Sequence, residues 1–193
     1  EGLLVRLRGA MMRLDRQADV AALDQVIARI EPKTLDGLIL KGMALQNLHR
    51  NAEADRIFAP LLAHLDQLYD DATRRDVLLA AARNAANLGE QARAVERYAR
   101  LQSLSALTDE VRDEYAGVLA QAGQTTQAIK VLEQGPASPR TLKLLASIHS
   151  SRKEFDQAIA VLRRLLQASP DDISAHRLLA DNASWAHQYD LAA

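Results

Sequence analysis

The sequence predicts an all-α protein built from repeated helical hairpins, and three observations predict it. Ala and Leu dominate the 193 residues while Gly numbers 8, Pro 5 and aromatic residues 4%, a composition that favours helix over strand. Pro32 and Pro170 each follow a long helical pattern, and Gly89 and Gly123 lie 34 residues apart. With Pro at position 32 and Gly at position 15 of a 34-residue unit, the units start at Glu1, Leu35, Arg75, Asp109, Pro139 and Ile173, separated by 34, 40, 34, 30 and 34 residues. Finally, small residues recur in that register. Position 8 reads Arg8, Gly42, Ala82, Ala116, Ala146 and Ala180, and position 20 reads Val20, Ala54, Ala94, Ala128, Ala158 and Ala192.

Within each unit the first helix has an apolar face at positions 4, 7, 8 and 11, as in Leu38, Gly42 and Leu45 or Leu142, Leu145 and Ala146. The second carries large apolar groups four and seven residues after the small one: Phe58 and Leu61, Tyr98 and Leu101, Leu162 and Leu165. Both are helical spacings. Two antiparallel helices approach to ~8 Å only where the crossing side chains are small, which positions 8 and 20 supply. The turn falls at positions 14–17, where Gly89 and Gly123 suit the left-handed end of a helix and Asp15, His49, Lys153 and His187 stand instead. Pro at position 32 stops the second helix. The expected helices run near 3–14/18–30, 35–48/51–68, 75–88/91–103, 109–122/125–133, 139–151/154–168 and 173–185/188–193. Pro60 and six extra residues predict a kinked or extended second helix reaching about Tyr69. Gly135-Pro136 shortens the fourth unit, and Arg8 and Asp24 at core positions make the first the weakest.

Composition also excludes. Lys+Arg total 24 against 25 Asp+Glu, so the positive field that nucleic-acid binding uses is missing. Without cysteine there are no disulfides, thiolate metal sites or cysteine nucleophile. The longest apolar run, Val77 to Ala82, is far below the ~20 residues of a membrane helix. A first residue that is Glu rather than Met, with no leader, reads as a piece of a longer chain. Five histidines form no ligand motif: His49 and His187 fall in turns, and His149 and His176 read as partly buried packing residues. Glycine-rich phosphate loops and serine-nucleophile turns are missing as well. No catalytic residue, cofactor or metal is expected.

The 34-residue unit, small at 8 and 20, aromatic or Leu at 24, apolar at 27 and Pro at 32, resembles the tetratricopeptide repeat. The units at Pro139 and Arg75 match best; the Trp frequent at position 4 is absent, with Arg112 and His176 there in two units. The resemblance implies a right-handed α-α superhelix of about five and a half repeats, forming one array over 1–193. It also implies that first-helix positions 2, 6, 9 and 13, flanked by 5 and 12, line a concave groove that binds protein partners. That face offers Leu40, Met43, Asp76, Leu79, Arg83 and Asn87, then Glu110, Asp113 and Glu114, then Arg140, Lys143 and Arg177, with Trp185, the one Trp, as an anchor. The groove is expected to run from apolar through acidic to basic. The carboxylate clamp of some family members is not carried over, because Val5, Gly9, Leu40, Asp76 and Ala80 occupy its positions.

The functional expectation is a non-enzymatic interaction scaffold. Nineteen Arg against five Lys and divergent Ala/Leu-rich repeats resemble the periplasmic repeat regions that precede outer-membrane barrels in bacterial exopolysaccharide export, of the Pel, poly-N-acetylglucosamine and cellulose types. That resemblance implies recruitment of polymer-modifying enzymes or guidance of a cationic, partly deacetylated polysaccharide. The alternative is a peptide-binding regulatory or sensor domain in the cytoplasm, attached to an enzyme or transcription factor.

Overall fold

The computed structural model describes residues 2–68 and 70–187, and all regular structure among them is helical. The expected helix at 188–193 and Ala192 lie outside the described residues. The chain divides into two compact units, residues 1–106 and 107–193. The first holds α1 (Gly2–Arg13), α2 (Gln17–Arg29), α3 (Leu35–Asn47), α4 (Asn51–Ala63), α5 (Asp71–Asn87) and α6 (Gln91–Leu104). The second holds α7 (Asp109–Gln121), α8 (Thr125–Glu133), α9 (Pro139–Ser151), α10 (Phe155–Ala168) and α11 (Ile173–Trp185).

The hairpin crossing forms where the register places it. Val20, Ala54, Ala94, Ala128 and Ala158 are buried, as are Ala82, Ala116 and Ala146. Phe58 rests so close to Gly42 that a Cβ there would lie 2.8 Å from its ring. The turn is equally uniform. Position 15 is left-handed in all six repeats: Gly89 and Gly123 at φ 76 and 77, Asp15 at 53, His49 at 58, Lys153 at 61 and His187 at 58. In the first five repeats the following amide, as in Arg50 N to Leu45 O at 2.9 Å and Glu154 N to His149 O at 2.9 Å, closes the helix end.

First helices α3, α5, α7, α9 and α11 each begin on a side-chain cap, from Thr34, Asp70, Thr108, Ser138 and Asp172, satisfying an otherwise orphaned amide. That device corrects the expectation for the long second repeat. α4 ends at Ala63 and is followed by one 3-10 turn over Leu65–Gln67, while Asp70 starts α5 four residues before Arg75. The extra residues therefore form a turn and lengthen α5 rather than extend α4. Pro60 stays inside α4, one turn from its end.

First helices are buried more widely than positions 4, 7, 8 and 11. Positions 3 and 10 (Gly37 and Ala44, Val77 and Asn84, Val111 and Val118, Thr141 and Ile148, Ala175 and Asn182) are also buried. Within unit 1, α3 packs on α1, α2 and α4, and α5 on α3, α4 and α6; within unit 2, α9 packs on α7, α8 and α10. A helix held from two sides exposes only a narrow strip. α1 has no buried residue.

Departures from the pattern compensate one another. Arg8 Nε and Nη2 reach the Asp24 carboxylate at 2.7 and 3.2 Å, and Asn47 Nδ2 donates to it at 2.7 Å. The first repeat thus carries an ion pair, with Asp24 at 0% exposure, where other repeats carry a small and a large apolar residue. In the fourth, the Arg112 guanidinium occupies the space a Cβ on Gly135 would take and donates to Asp109 at 2.7 Å.

Two outcomes follow for stability. His49→Gly and Lys153→Gly relieve left-handed strain, and each should raise urea-unfolding stability by about 0.5–1 kcal/mol, while Gly89→Ala should lower it by about 1 kcal/mol. Arg8→Ala strands a buried carboxylate and should cost about 3–5 kcal/mol, whereas Arg8→Ala combined with Asp24→Leu should recover most of the loss. A strictly additive double variant would show that the two side chains do not act as a pair.

Candidate interaction surface

The thirteen residues expected on one face separate into three environments. Asp76, Asn87, Glu110, Arg140, Arg177 and Trp185 are exposed; Met43, Leu79, Arg83, Glu114 and Lys143 are half-buried. Leu40 and Asp113 are buried, at 6% and 4% exposure, and both correct the expectation. Leu40, at position 6, packs with Ile27 and Ala44 against Leu4 and Leu23. The preceding hairpin reaches further around α3 than a single apolar stripe implies. Asp113 accepts a hydrogen bond from Thr141 Oγ1 at 3.0 Å and lies 3.6 Å from Arg140 Nε, so it ties α7 to α9 instead of facing a partner.

The acid-to-basic gradient is partly neutralised from within. Lys143 Nζ reaches Asp172 Oδ2 at 2.7 Å, joining α9 to the cap of α11. Asp172 accepts from Lys143, from Ser174 Oγ and from the Ala175 amide, which together hold its carboxyl down from 3.8 to about 2. Glu110 and Arg177 make no hydrogen bond or ion pair among the described residues. Asp76 belongs to unit 1 and the remaining expected carboxylates to unit 2. Partial desolvation raises the Asp76 carboxyl, with Arg75 opposing the effect.

A charged cluster in unit 1 escaped the sequence reading. Arg93 Nη2 meets both oxygens of Asp55 at 3.0 Å and also pairs with Glu90, while buried Arg97 donates to Ala81 O at 2.7 Å and to Asp55 at 3.3–3.4 Å. Its signal was two arginines four apart on the second helix, with Asp55 at the corresponding face of α4. His149 is half-buried against Glu154, 2.7 Å from Nδ1 to Oε2, and their hydrogen bond holds the Glu154 carboxyl below its usual range with Arg152 assisting. His176 corrects its reading: it is exposed, its ring turned back to the preceding loop, where Nε2 meets Pro170 O at 2.8 Å. Among the described residues no three His, Asp or Glu side chains converge as metal ligands, and no helix is long and apolar enough to cross a membrane.

One row keeps its exposure through the register. Position 2 (Asp36, Asp76, Glu110, Arg140, Ser174) and position 13 (Asn47, Asn87, Gln121, Ser151, Trp185) are solvent-exposed in every repeat from the second onward. Their neighbours at 3 and 10 are buried throughout. Residue type varies along the row while exposure does not.

Comparison with known proteins agrees with this geometry. Residues 119–182 match the tetratricopeptide repeat family model. MamA, residues 41 to the end, from Desulfovibrio magneticus RS-1 superposes with a TM-score of 0.68 at 20% identity, over 80% of this chain and 86% of that one. A tetratricopeptide repeat protein from Parabacteroides merdae ATCC 43184 gives 0.70 at 16% identity, over 99% of this chain and 75% of that one. These likenesses carry the fold alone. No curated protein sequence matches.

The Asp172 pairing has a measurable consequence. A carboxyl held below its unfolded value contributes stability that is complete above about pH 4 and is lost as pH falls toward 2. Asp172→Asn should flatten the acid limb of a stability–pH curve in that window and leave the slope above pH 5 unchanged; an unaltered acid limb would remove Asp172 from the account.

Proposed function

We propose that the chain is a protein-interaction scaffold in which each unit offers, as a binding surface, its exposed first-helix row at positions 2 and 13, with 9 between them. The observation that supports it is the constancy of exposure at positions 2 and 13 against the constancy of burial at positions 3 and 10. A fold that holds side chains at fixed spacing while leaving their identity free suits recognition of a polypeptide segment. The tetratricopeptide match over residues 119–182 supports protein binding.

Within this proposal the thirteen residues of the sequence reading reduce to a working set of Asp76, Asn87, Glu110, Arg140, Arg177 and Trp185, with Met43, Leu79, Arg83, Glu114 and Lys143 at its edges. The finer assignment is a single array in the periplasm that recruits polymer-modifying enzymes during exopolysaccharide export. It is carried by the sequence resemblance alone.

Within unit 2, photo-crosslinking side chains at Gln121, Arg140 and Ser151 should capture one and the same partner, while one at Arg163, on the exposed side of a second helix, should capture none; within unit 1 the corresponding pair is Asn87, which should capture, and Glu96, which should not. For a basic partner, Glu110→Lys should lower the association rate several-fold at low salt and less at physiological ionic strength, where fields are screened beyond ~8 Å. Equal capture from both sets would sink the proposal.

A further inference from the structure

The exposed row changes character at its last described repeat. Position 13 is an amide or hydroxyl in Asn47, Asn87, Gln121 and Ser151, and position 17, which opens each second helix, is Gln17, Asn51, Gln91 and Thr125 in the first four repeats. At the final junction of unit 2 both become aromatic. Phe155 opens α10 and Trp185 stands on α11, their ring centroids 5.7 Å apart and their planes tilted by 44°. Phe155 is half-buried, and Trp185 remains 55% exposed. The tilted contact anchors one edge of the indole and leaves aromatic surface open to solvent.

A carboxylate stands beside it. Asp181 lies one helical turn before Trp185, so the two side chains share a face. It is exposed and has no hydrogen-bond or ion-pair partner among the described residues. The adjacent Asn182 turns inward and donates to Leu178 O at 2.8 Å. Of the nearby cations, Arg152 is bonded to Glu154 and Thr126, both at 2.7 Å, and His149 to Glu154, while Lys153 in the turn and exposed Arg177, one turn before Asp181, make no bond to that carboxylate among the described residues. An aromatic face next to an unpaired carboxylate attracts a cation twice, through the ring quadrupole and through charge.

We propose that Trp185, Phe155 and Asp181 form a subsite for an arginine or lysine side chain of a partner polypeptide lying along unit 2. The inference rests on the reading of the first-helix row as a partner-binding surface and specifies what that row takes at this end. Half-buried Leu178, three residues before Asp181, and half-buried Leu144 at the same position of α9 add aliphatic surface. That favours a polypeptide, in which a branched aliphatic side chain accompanies the cation, over a cationic polysaccharide, whose apolar surface is limited to ring C–H faces and N-acetyl methyl groups. Gly117 and Ser147 at position 9 keep the neighbouring surface low, and nothing lies within 4 Å of where a Gly117 Cβ would stand.

Because Trp185 is the sole Trp, its fluorescence reads the subsite directly. The full chain is titrated with a short acetylated peptide containing one leucine and one arginine, with the same peptide carrying glutamine for arginine, and with a glucosamine hexamer. Saturable emission shifts are expected with the arginine peptide, at about tenfold tighter affinity than the glutamine peptide. That preference should fall to near unity in Asp181→Asn and in Phe155→Leu, with unchanged circular dichroism; calorimetry on Trp185→Phe should retain more of it than on Trp185→Leu. Equal affinity for the two peptides, no saturable shift with either, or tighter binding of the glucosamine hexamer overturns the proposal. Partner capture at Gln121 and Arg140 separates the two claims. If capture persists while arginine preference is absent, the subsite fails and the scaffold stands; if capture fails in the unaltered chain, the scaffold reading fails first.

Discussion

Everything in this structure depends on the closeness with which the two helices of a hairpin cross. Buried alanine at position 20, facing Gly or Ala at position 8, lets the backbones approach until Phe58 fills the space above Gly42. Once the crossing is fixed, the chain has only a few residues in which to reverse. Position 15 must then turn left-handed whether or not it is glycine. Four of the six residues there, Asp15, His49, Lys153 and His187, adopt a conformation that their side chains disfavour. Tertiary packing outweighs that local preference: the second, third and fifth hairpins bury large apolar side chains at both positions 24 and 27 behind the crossing, Phe58 and Leu61, Tyr98 and Leu101, Leu162 and Leu165.

The same geometry explains why the exposed row is narrow. A first helix flanked by its own partner and by the previous hairpin has little surface left. What remains exposed is set by position and not by residue type, which is how Leu40 and Asp113 came to be interior. Where a core position holds a charged group, a second change accommodates it: Asp24 with Arg8, and Gly135 beneath Arg112. Each arrangement is contained within its own repeat, with Asn47 adding a hydrogen bond from the next one in the first case.

Much of this was legible in the sequence. Proline and glycine spacing placed the starts of α3, α7, α9 and α11 to the residue, because helix ends are specified by backbone chemistry visible in single letters. The start of α5 was missed because it is set by Asp70, a cap whose carboxylate accepts from Thr73 N at 2.6 Å, and not by Gly or Pro. The outward face was harder to read. A stripe at 4, 7, 8 and 11 identifies one packed side of a helix, but the second side, which buries Val111 and Ile148 at positions 3 and 10, is created by a neighbour some thirty residues away. Asp113 looked free for the same reason: its partner Thr141 lies 28 residues on. Trp185 was legible as an unusual residue, whereas its ring partner Phe155 was hidden by distance in sequence.

Side-chain ties also run between repeats. In unit 1, Asp55 of α4 is gripped by Arg93 and Arg97 of α6, Gln46 of α3 reaches Ala80 O at 2.8 Å, and Asn84 of α5 reaches Asn51 O at 3.0 Å. These ties behave as rivets between otherwise stackable parts. Arrays joined only by neighbouring apolar faces can unzip one repeat at a time; here the second and third hairpins share charged joints that break together or not at all. Under tension within unit 1, α1, which buries no side chain and is held chiefly through Arg8 on Asp24, would peel away first, and the second and third hairpins would yield together.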